Sequence, residues 1–343
     1  MEKIRWVNYE SAFYDQYKIF AQNQFGIGSY QSSENYLKWL YCENPHSRGY
    51  SDLIVGILED GRVIGFIHKM RLPWKVEGET VLFPSLHNLV VKQEFRSGAG
   101  FWLMKKSIHG EEHALIPGVV QPLSTAYIEM RCQPMPSSWF KFVLSPFSAF
   151  VALGFHRLTG KCFFRNRFAL PLNRNIGDFR VTKSPEVSEL EQIAHYLNSA
   201  SGANHIVWDA DLVRWRFFHE LGPKHALIRH LKNTDEFAVV SFGQRSGLNI
   251  ARIIVVSDGF ILDTGLYSFL KNEVKKAGAS ALFFMTTKQH VAAAMVQRGF
   301  TSYKVSPDTY IYHKNKNTEF DAKFGSESTD VGFESIVTEL MNG

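Results

Sequence analysis

The chain has 343 residues, more than one typical hydrophobic core holds, which indicates two domains. Hydrophobic residues make up 45% of it, which excludes a largely disordered protein, and a formal net charge of +5 without any Lys/Arg block argues against a nucleic-acid partner. The three cysteines (Cys42, Cys132, Cys162) are far apart and have no metal-ligand spacing, so we expect reduced thiols and a cytoplasmic protein.

No stretch of the sequence predicts a membrane span. The N-terminus has no apolar signal core. The most apolar stretch, 139–155, contains Lys141 and Pro146 and is short for a span, so it is predicted to be a buried helix. We therefore expect no membrane partner.

The first elements are predicted to be helices followed by a hairpin. Residues 8–42 show helical apolar spacing with a break at Gly26 and Gly28. Strands 52–58 and 63–70 then flank a Glu-Asp-Gly turn, and a further strand near 76–82 follows.

Residues 83–106 are predicted to form a buried strand, a glycine-containing loop at 96–100, and a helix that begins at Phe101. The glycines permit a sharp turn, and a helix N-terminus directly behind them carries partial positive charge. Arg96 adds a fixed charge with several donors. This combination suits an anionic ligand, most naturally a phosphate.

Two common phosphate motifs do not fit this loop. A P-loop requires Lys and Ser or Thr after its second glycine, whereas Gly100 is followed by Phe101 and Trp102. A dinucleotide fingerprint requires a third glycine where this chain has Leu103. An ordinary strand-turn-helix with glycines for packing is the alternative interpretation.

The pattern of strand, arginine, paired glycines and helix resembles motif A of the GCN5-related N-acetyltransferases, the GNAT superfamily. One departure is that only Ser97 separates the arginine from the first paired glycine, where the family usually has two residues. The resemblance implies that coenzyme A is bound, with its pantetheine arm on the backbone of Leu89, Val90 and Val91. It also implies a pyrophosphate-binding loop formed by Arg96, Ser97, Gly98, Ala99, Gly100 and Phe101.

The rest of the first half follows the element order of a GNAT domain. The helix from Phe101 is followed by an apolar segment at 114–120 and a proline-rich region to Ser138. A helix is then predicted to end at Leu153-Gly154-Phe155, before a strand at 161–171.

The second half repeats the first. Trp39 and Trp215 occupy matching aromatic helices, and Arg298-Gly299-Phe300 matches Leu153-Gly154-Phe155, with an insertion in the first half placed at 117–140. The expected domains are a GNAT domain at 1–175, a degenerate GNAT-like domain at 176–315, and a polar tail at 316–343. The fold class is therefore α/β, of the α+β mixed-sheet type, with two tandem GNAT-like domains.

The second copy lacks the phosphate-binding features. After Val256 it has one glycine, no arginine, and two aspartates, Asp258 and Asp263. Negative charge there opposes a pyrophosphate. We therefore assign the acyl-CoA site to the first domain.

The paired aromatic helices and the degenerate second copy resemble tandem-GNAT acyltransferases of bacterial surface-polysaccharide pathways. This resemblance implies an enzyme that transfers an acyl group, acetyl or 3-hydroxybutyryl, to the amino group of a nucleotide-linked, typically dTDP-linked, amino-deoxy sugar. Residues expected to contact that sugar nucleotide are Trp39, Tyr127, Glu129, Arg131, Trp208 and Arg216.

The candidate general base is His87. An ammonium acceptor must lose a proton before it attacks, and related enzymes often place their base early on this strand. Alternation along the strand predicts that Ser85, His87, Leu89 and Val91 share one face. His87 would act directly or through a water; the alternative is a histidine that only satisfies a backbone carbonyl.

The proton donor to the thiolate is not evident. Many GNAT members have a tyrosine at the position of Phe150, which has no proton to donate, so Tyr127, Ser148 or solvent would supply it. There is no H-E-x-x-H or G-x-S-x-G motif, so no metal is expected. Two rival classes remain: a peptide or protein N-acyltransferase, and a non-catalytic acyl-CoA-binding module.

Overall fold

The computed structural model describes residues 3–27, 29–117, 119, 121–135, 138–164, 167–199, 204–245, 247–259, 264–286, 289–304, 309–314 and 339–342. The chain forms two compact units, each assembled from three segments. Unit 1 comprises Met1–Met135, Ala203–Val207 and Pro307–Lys323. Unit 2 comprises Pro136–Gly202, Trp208–Ser306 and Phe324–Gly343.

These units differ from the predicted linear division at residue 175, because residues 136–175 belong to the second compact unit. Of the predicted tail 316–343, the structure describes Glu339–Asn342, a strand that pairs in parallel with Arg167–Leu170.

Unit 1 contains four α-helices among its described residues: α1 (Tyr14–Phe25), α2 (Glu34–Tyr41), α3 (Arg96–Ile108) and α4 (Gln121–Glu129). Its strands are β1 (Arg5–Asn8), β2 (Leu53–Ile57), β3 (Val63–Val76), β4 (Glu79–Val91), β5 (His113–Ile116), β6 (Gln133–Met135), β11 (His205–Ile206) and β17 (Thr309–His313). Short 3-10 turns precede α1, α2, β2 and α3.

Unit 2 contains, in its described part, α5 (Pro146–Thr159), α6 (Val187–Ser199), α7 (Ala210–Val213), α8 (Thr264–Lys276) and α9 (Gln289–Gln297). Its strands are β7 (Ser138–Val143), β8 (Arg167–Leu170), β9 (Arg174–Ile176), β10 (Phe179–Thr182), β12 (His225–His230), β13 (Phe237–Arg245), β14 (Leu248–Val256), β15 (Ala281–Thr286), β16 (Thr301–Lys304) and β18 (Glu339–Asn342). A π-helical turn, Arg214–Phe218, continues α7.

The two sheets have the same construction. In unit 1 the order is β1-β2-β3-β4-β5-β17-β6, with β11 paired to β3; in unit 2 it is β16-β7-β15-β14-β13-β12-β10-β9. Each sheet has an antiparallel ladder, one parallel pair (β4 with β5, β14 with β15), and two further antiparallel strands. This shared order agrees with the internal repeat.

Each sheet contains strands from the other half of the chain, and β11, at His205–Ile206, is one of these in unit 1. β17, near the C-terminal end, pairs with β5 and β6 of unit 1. Conversely, β7 precedes the second half in sequence but pairs with β15 and β16 of unit 2. The sequence repeat therefore cannot be cut at a single residue into two independent sheets.

Each sheet buries its own core. The core of unit 1 joins β4 and α3 through Leu86, Val91, Ala99 and Leu103. The core of unit 2 joins β13 and β14 to α8 through residues such as Val240, Ile253 and Leu270. The full burial of these side chains provides the main hydrophobic stabilisation of each unit.

Several predicted elements have different bounds. The strands predicted at 63–70 and 76–82 belong to one long hairpin, β3 and β4, because Glu77 (φ 53°) and Gly78 (φ 90°) form a two-residue turn with left-handed backbone. Gly26 ends α1 as predicted, with φ 100°; Gly28 lies outside the described residues.

The predicted buried helix at 139–155 is wrong in two respects. Its first part is strand β7, and α5 continues through Gly154 to Thr159, where Gly160 caps it in the left-handed conformation. Phe147 and Phe150 of this helix are exposed.

Candidate functional site

A β-bulge interrupts the central strand of unit 1. Phe66 of β3 pairs with Val90 and His68 pairs with His87, so two steps on β3 oppose three steps on β4. The bulge places Asn88 in the left-handed region, with φ 52°. A bulge leaves backbone groups outside the ladder, and such irregularities concentrate near functional sites.

The bulge reverses the alternation of side chains along β4. Leu86 and Val91 pack in the same core although an odd number of positions separates them, and Leu89 packs against that core as well. His87 lies beside His68, outside that core cluster. The prediction that Ser85, His87, Leu89 and Val91 share one face is therefore wrong.

The parallel pair β4 and β5 separates at the same place. Ser85 pairs with Leu115, and the described residues contain no further pair between these two strands. Beyond Ser85, the four residues His87, Asn88, Leu89 and Val90 are each partly exposed. In the described part of the chain β4 thus continues through the bulge without a ladder partner in β5, and we call this place the opening between β4 and β5.

Helix α3 begins immediately after this strand. The predicted loop at 96–100 is instead the first turn of the helix, which starts at Arg96 after a 3-10 turn at Gln93–Phe95. Phe95, at the N-cap, supplies no side-chain hydrogen bond, so the first amides of the helix are not capped by it. This end of the helix therefore suits an anion.

The glycines keep the helix N-terminus open and close to β4. Gly98 has φ 87°, and a Cβ added there would meet no atom within 4 Å. A Cβ on Gly100 would lie 4.0 Å from Leu89 Cδ2. Arg96 is exposed, and its Nε donates to the Val91 carbonyl at 3.1 Å. The remaining predicted loop residues divide: Ala99 is buried, Phe101 is 44% exposed, and the Ser97 side chain lies outside the described residues.

A fully buried histidine, His68, lies next to the bulge. The Tyr41 hydroxyl is 2.6 Å from His68 Nδ1, and the Tyr17 hydroxyl is 3.2 Å from Nε2. Tyr17 also donates to the Gln31 carbonyl at 2.8 Å, so its oxygen is the acceptor toward Nε2 and Tyr41 is the donor toward Nδ1. Burial, and then the charge of His87, lower the pKa of His68 well below its usual value. His68 is therefore a neutral ring within the core.

His87 has a different set of partners. Its Nδ1 is 3.3 Å from the Ser85 carbonyl, which can only accept, and its Nε2 is 2.9 Å from the Tyr36 hydroxyl. The Asn88 amide nitrogen donates to that hydroxyl at 2.9 Å. These bonds form a chain that runs from Asn88 through Tyr36 to His87, with every donor matched to an acceptor.

The sequence around Tyr36 explains its position. Ser33 caps α2 by accepting from the Tyr36 amide at 3.1 Å, which fixes the first turn of the helix. The ring packs edge-on against Tyr30 and against His68. Tyr36 is 2% exposed, so its hydroxyl is presented from a rigid, packed helix.

Below this cluster, a network of charged side chains is buried in unit 1. Arg71 Nε donates to Asp52 at 2.9 Å, while its terminal nitrogens donate to Glu111 at 3.0 and 2.6 Å. Lys69 donates to the same Glu111 at 3.1 Å. The network contains two positive and two negative side chains, so its charges cancel. Buried charges are tolerated in a core when they are paired and hydrogen-bonded in this way. The network holds β3 to the start of β5.

The predicted sugar-nucleotide residues occupy varied environments. Trp39, Tyr127, Trp208 and Arg216 are buried, whereas Glu129 and Arg131 are exposed. Trp39, Tyr127, Glu129 and Arg131 belong to unit 1, and Trp208 and Arg216 belong to unit 2. Tyr127 stacks on Tyr310, and burial raises the pKa of its hydroxyl. Their contact with an acceptor stays a prediction.

The corresponding region of unit 2 lacks these features. β14 also has a bulge near its end, since Val239 pairs with Val255 and Val240 with Ile253. The residue within it is Ile254, which is buried. Asp258 follows this strand, and Asp263 lies outside the described residues. Unit 2 thus has a bulge at the equivalent place, but the residue within it is apolar and buried.

His68, Tyr17, Tyr36 and Tyr41 were not identified from the sequence. They come from three separate elements, and no local pattern links them. The one available signal was a histidine on each of two neighbouring predicted strands, since His68 and His87 are a cross-strand pair. The bulge made that pairing impossible to assign from alternation alone.

Searches for related sequences return nothing: no protein-family model and no curated protein matches this chain. The structure, in contrast, is similar to solved structures. One is Saccharomyces cerevisiae N-myristoyltransferase with bound myristoyl-CoA, at 12% identity and a TM-score of 0.62, covering 91% of this chain and 83% of that one.

Two bacterial structures are similar over the same share of this chain. A GCN5-related N-acetyltransferase from Anabaena variabilis ATCC 29413 has 11% identity and a TM-score of 0.57, covering 91% of this chain and 73% of that one. A probable N-acyltransferase from Enterococcus faecalis V583 has 10% identity and a TM-score of 0.55, with the same coverages. The fold is therefore a mixed α/β fold of the GNAT and N-myristoyltransferase type, as the sequence predicted.

Two further searches of the described residues are negative. No helix there is long and apolar enough to span a bilayer. No group of three or more His, Cys, Asp or Glu side chains is arranged to hold a metal ion within that part of the chain.

Proposed function

We propose that this protein is an acyl-CoA-dependent N-acyltransferase whose acyl-CoA site lies in unit 1. The observation that carries the proposal is the conjunction of a parted β4 and β5, a bulge at Asn88, and the N-terminus of α3 on one continuous stretch of chain. The fold shared with acyltransferases supports this chemistry.

The donor's pyrophosphate would be bound at the first turn of α3. The uncapped amides there, the open side of Gly98 and the exposed Arg96 all favour a dianionic group. The pantetheine arm would run along the backbone of Leu89–Val91, of which Leu89 and Val90 are partly exposed, beside the opening between the strands.

The reaction needs one bond exchanged and one proton moved. The acceptor amine attacks the thioester carbonyl, a C–N bond forms, the C–S bond breaks, and the thiolate leaves. A backbone N–H released from the ladder by the bulge would stabilise the negative oxygen. Holding the thioester carbonyl and the acceptor amine close together and correctly oriented supplies much of the rate acceleration.

His87 would accept the proton, with Tyr36 as a relay. Tyr36 would pass its own proton to His87 Nε2 while its oxygen takes one from the acceptor amine, directly or through a water. The Asn88 amide would keep the Tyr36 oxygen oriented during that transfer. Both residues are part of one hydrogen-bonded chain, which supports a joint role.

The proposed acceptor is a nucleotide-linked amino-deoxy sugar, and the proposed compartment is the cytoplasm. This finer assignment rests on the sequence resemblance to tandem-GNAT enzymes of polysaccharide pathways. Trp39, Tyr127, Glu129, Arg131, Trp208 and Arg216 are its candidate contacts. The alternative acceptor is a peptide amine, and the neighbouring structure with myristoyl-CoA adds a long-chain donor to those worth testing.

The test is release of free thiol from acetyl-, 3-hydroxybutyryl- and myristoyl-CoA, with dTDP- and UDP-linked amino sugars or peptide amines as acceptors. We expect release that depends on an amino-sugar nucleotide. Thiol release that depends only on a peptide amine would contradict the proposed sugar-nucleotide acceptor but agree with an N-acyltransferase. CoA binding without release under any acceptor would favour a binding module.

A further inference from the structure

Helix α5 of unit 2 has its small residues buried and its large apolar residues in solvent. Ala149 and Ala152 are 9% and 0% exposed, whereas Phe147, Phe150 and Leu158 are 79%, 78% and 88% exposed. An ordinary surface helix shows the opposite distribution. The inner side of α5 lies so close to Gly247 that a Cβ added to Gly247 would be 2.6 Å from His156 Cβ, so α5 packs tightly against unit 2 on that side.

The exposed side chains form one stripe. Phe147, Phe150 and Leu158 recur at helical spacing and so lie along the same outer face. Phe163, 51% exposed, extends the apolar surface past the end of the helix, where it packs edge-on against Phe155 at 5.3 Å. We call Phe147, Phe150, Leu158 and Phe163 the α5 patch. A grouped apolar surface of this kind marks an interaction site.

The segment of the sequence that contains the α5 patch carries charges of one sign. From residue 130 to residue 177 the sequence contains no Asp or Glu, but it contains Arg131, Lys141, Arg157, Lys161, Arg165, Arg167 and Arg174. In the remainder of the chain, acidic residues outnumber Lys and Arg. Arg157, on α5, and Lys161, just beyond it, are both exposed. The partner of the α5 patch is therefore expected to be anionic.

The positive charge beside the α5 patch favours some binding partners over others. A second copy of the chain would bring two basic segments together, which costs affinity. An acidic protein would need a groove shaped to the protruding rings, whereas a bilayer accepts them without a preformed shape. Phenylalanine inserted at the headgroup level, with Lys and Arg beside it, is the pattern of helices that lie on membranes.

We propose that the α5 patch binds peripherally to an anionic lipid surface, with its phenyl rings among the headgroups and with Arg157 and Lys161 beside them. Nothing spans the bilayer in this arrangement, so it departs from the expectation of no membrane partner without requiring a membrane-spanning helix. Few apolar side chains take part, so binding is reversible, and it weakens with salt because salt screens the attraction between the basic residues and the anionic headgroups.

The test is co-sedimentation of the full chain with vesicles of phosphatidylcholine alone and of phosphatidylcholine mixed one to one with phosphatidylglycerol. We expect binding only to the anionic vesicles. The double variant Phe147→Ser/Phe150→Ser and, separately, Arg157→Glu/Lys161→Glu should each lower the bound-to-free ratio about tenfold. The matched control is Val187→Ser/Val296→Ser, which removes two other exposed apolar side chains of unit 2 and should bind like the wild type.

Three results would overturn the proposal. The first is equal binding of the wild type and the Phe147→Ser/Phe150→Ser variant, with both folded by circular dichroism. The second is a wild-type dimer in light scattering that this variant converts to a monomer, which would assign the patch to a second copy. The third is a monomeric wild type that binds neither kind of vesicle, which would point to an acidic protein as the partner.

Discussion

His68 and His87 lie opposite each other across β3 and β4, with rings 5.4 Å apart and inclined by 22°. Their environments differ. His68 is enclosed by Tyr17 and Tyr41, and a positive charge on it is opposed by burial and by His87. His87 borders the opening between β4 and β5 and bonds to Tyr36. The pair thus consists of a structural histidine and a candidate catalytic one.

Replacing Tyr36 by Phe should lower turnover without weakening CoA binding. The change removes the hydroxyl between Asn88 and His87 and keeps the ring that packs against Tyr30. Loss of positioned proton transfer is expected to reduce kcat by roughly 10²-fold. Thiol release measured across a pH series checks this.

His87→Ala provides the matched comparison for Tyr36→Phe. If Tyr36 acts through His87, the double variant should be no slower than His87→Ala alone. Effects that multiply, or a pH–rate profile unchanged in both single variants, would mean that the two residues do not share a proton path.

Tyr41→Phe should affect stability and not the chemistry. This hydroxyl is the donor to buried His68 Nδ1, and its loss leaves that nitrogen without this donor, at a cost of about 1–3 kcal/mol in the free energy of unfolding. Urea unfolding monitored by fluorescence measures it. A stability equal to that of the wild type would show that the bond between Tyr41 and His68 Nδ1 contributes no net stability.

The stability of unit 2 should depend on pH through His225. Burial, followed by the charge of Arg216, lowers the pKa of this histidine from 6.5 to about 3. Above pH 6.5 the His225 ring is neutral in both the folded and the unfolded chain, so its ionisation does not affect stability. Between pH 6.5 and about 3 only the unfolded chain binds the proton, so the folded state loses stability as the pH falls.

The His225→Leu variant cannot bind this proton in either the folded or the unfolded state. The stability of the wild type relative to this variant should fall by about 1.4 kcal/mol per pH unit below pH 6.5. Urea unfolding of both proteins at several pH values gives the difference. A difference that stays constant over this window would contradict the assignment.

Arg96→Glu should weaken CoA binding more than Arg96→Gln. Both variants lose the guanidinium group and its positive charge, but only glutamate places a negative charge at the N-terminus of α3. We expect a further loss of about tenfold in affinity for the glutamate variant, measured by calorimetry at low salt. Equal affinities would show that Arg96 does not face the pyrophosphate.

Part of this site could be predicted from the sequence. The run from Leu86 to Val91 followed by Arg96, Gly98 and Gly100 encodes a strand and a helix N-terminus locally, and both are present. Local rules also predicted His87 on that strand. These features depend on neighbours in sequence.

The remainder depends on contacts between distant residues. The bulge at Asn88 arises from the register with β3, and it moves Leu89 and Val91 to the face opposite His87. The incorporation of β7 into unit 2 and of β17 into unit 1 is likewise invisible to periodicity, because strand pattern does not specify the partner. The Tyr36–His87 bond joins helix α2 to β4 by tertiary packing alone.

The most direct test of the central claim is calorimetric titration of coenzyme A into the wild type, Gly98→Asp and Gly98→Asn. Asp and Asn impose nearly the same shape and backbone strain at φ 87°, so the pair isolates charge. We expect one site per chain, with CoA binding retained in Gly98→Asn and lost or weakened about tenfold or more in Gly98→Asp. Two sites per chain, or equal affinity in both variants, would contradict an acyl-CoA site at the N-terminus of α3.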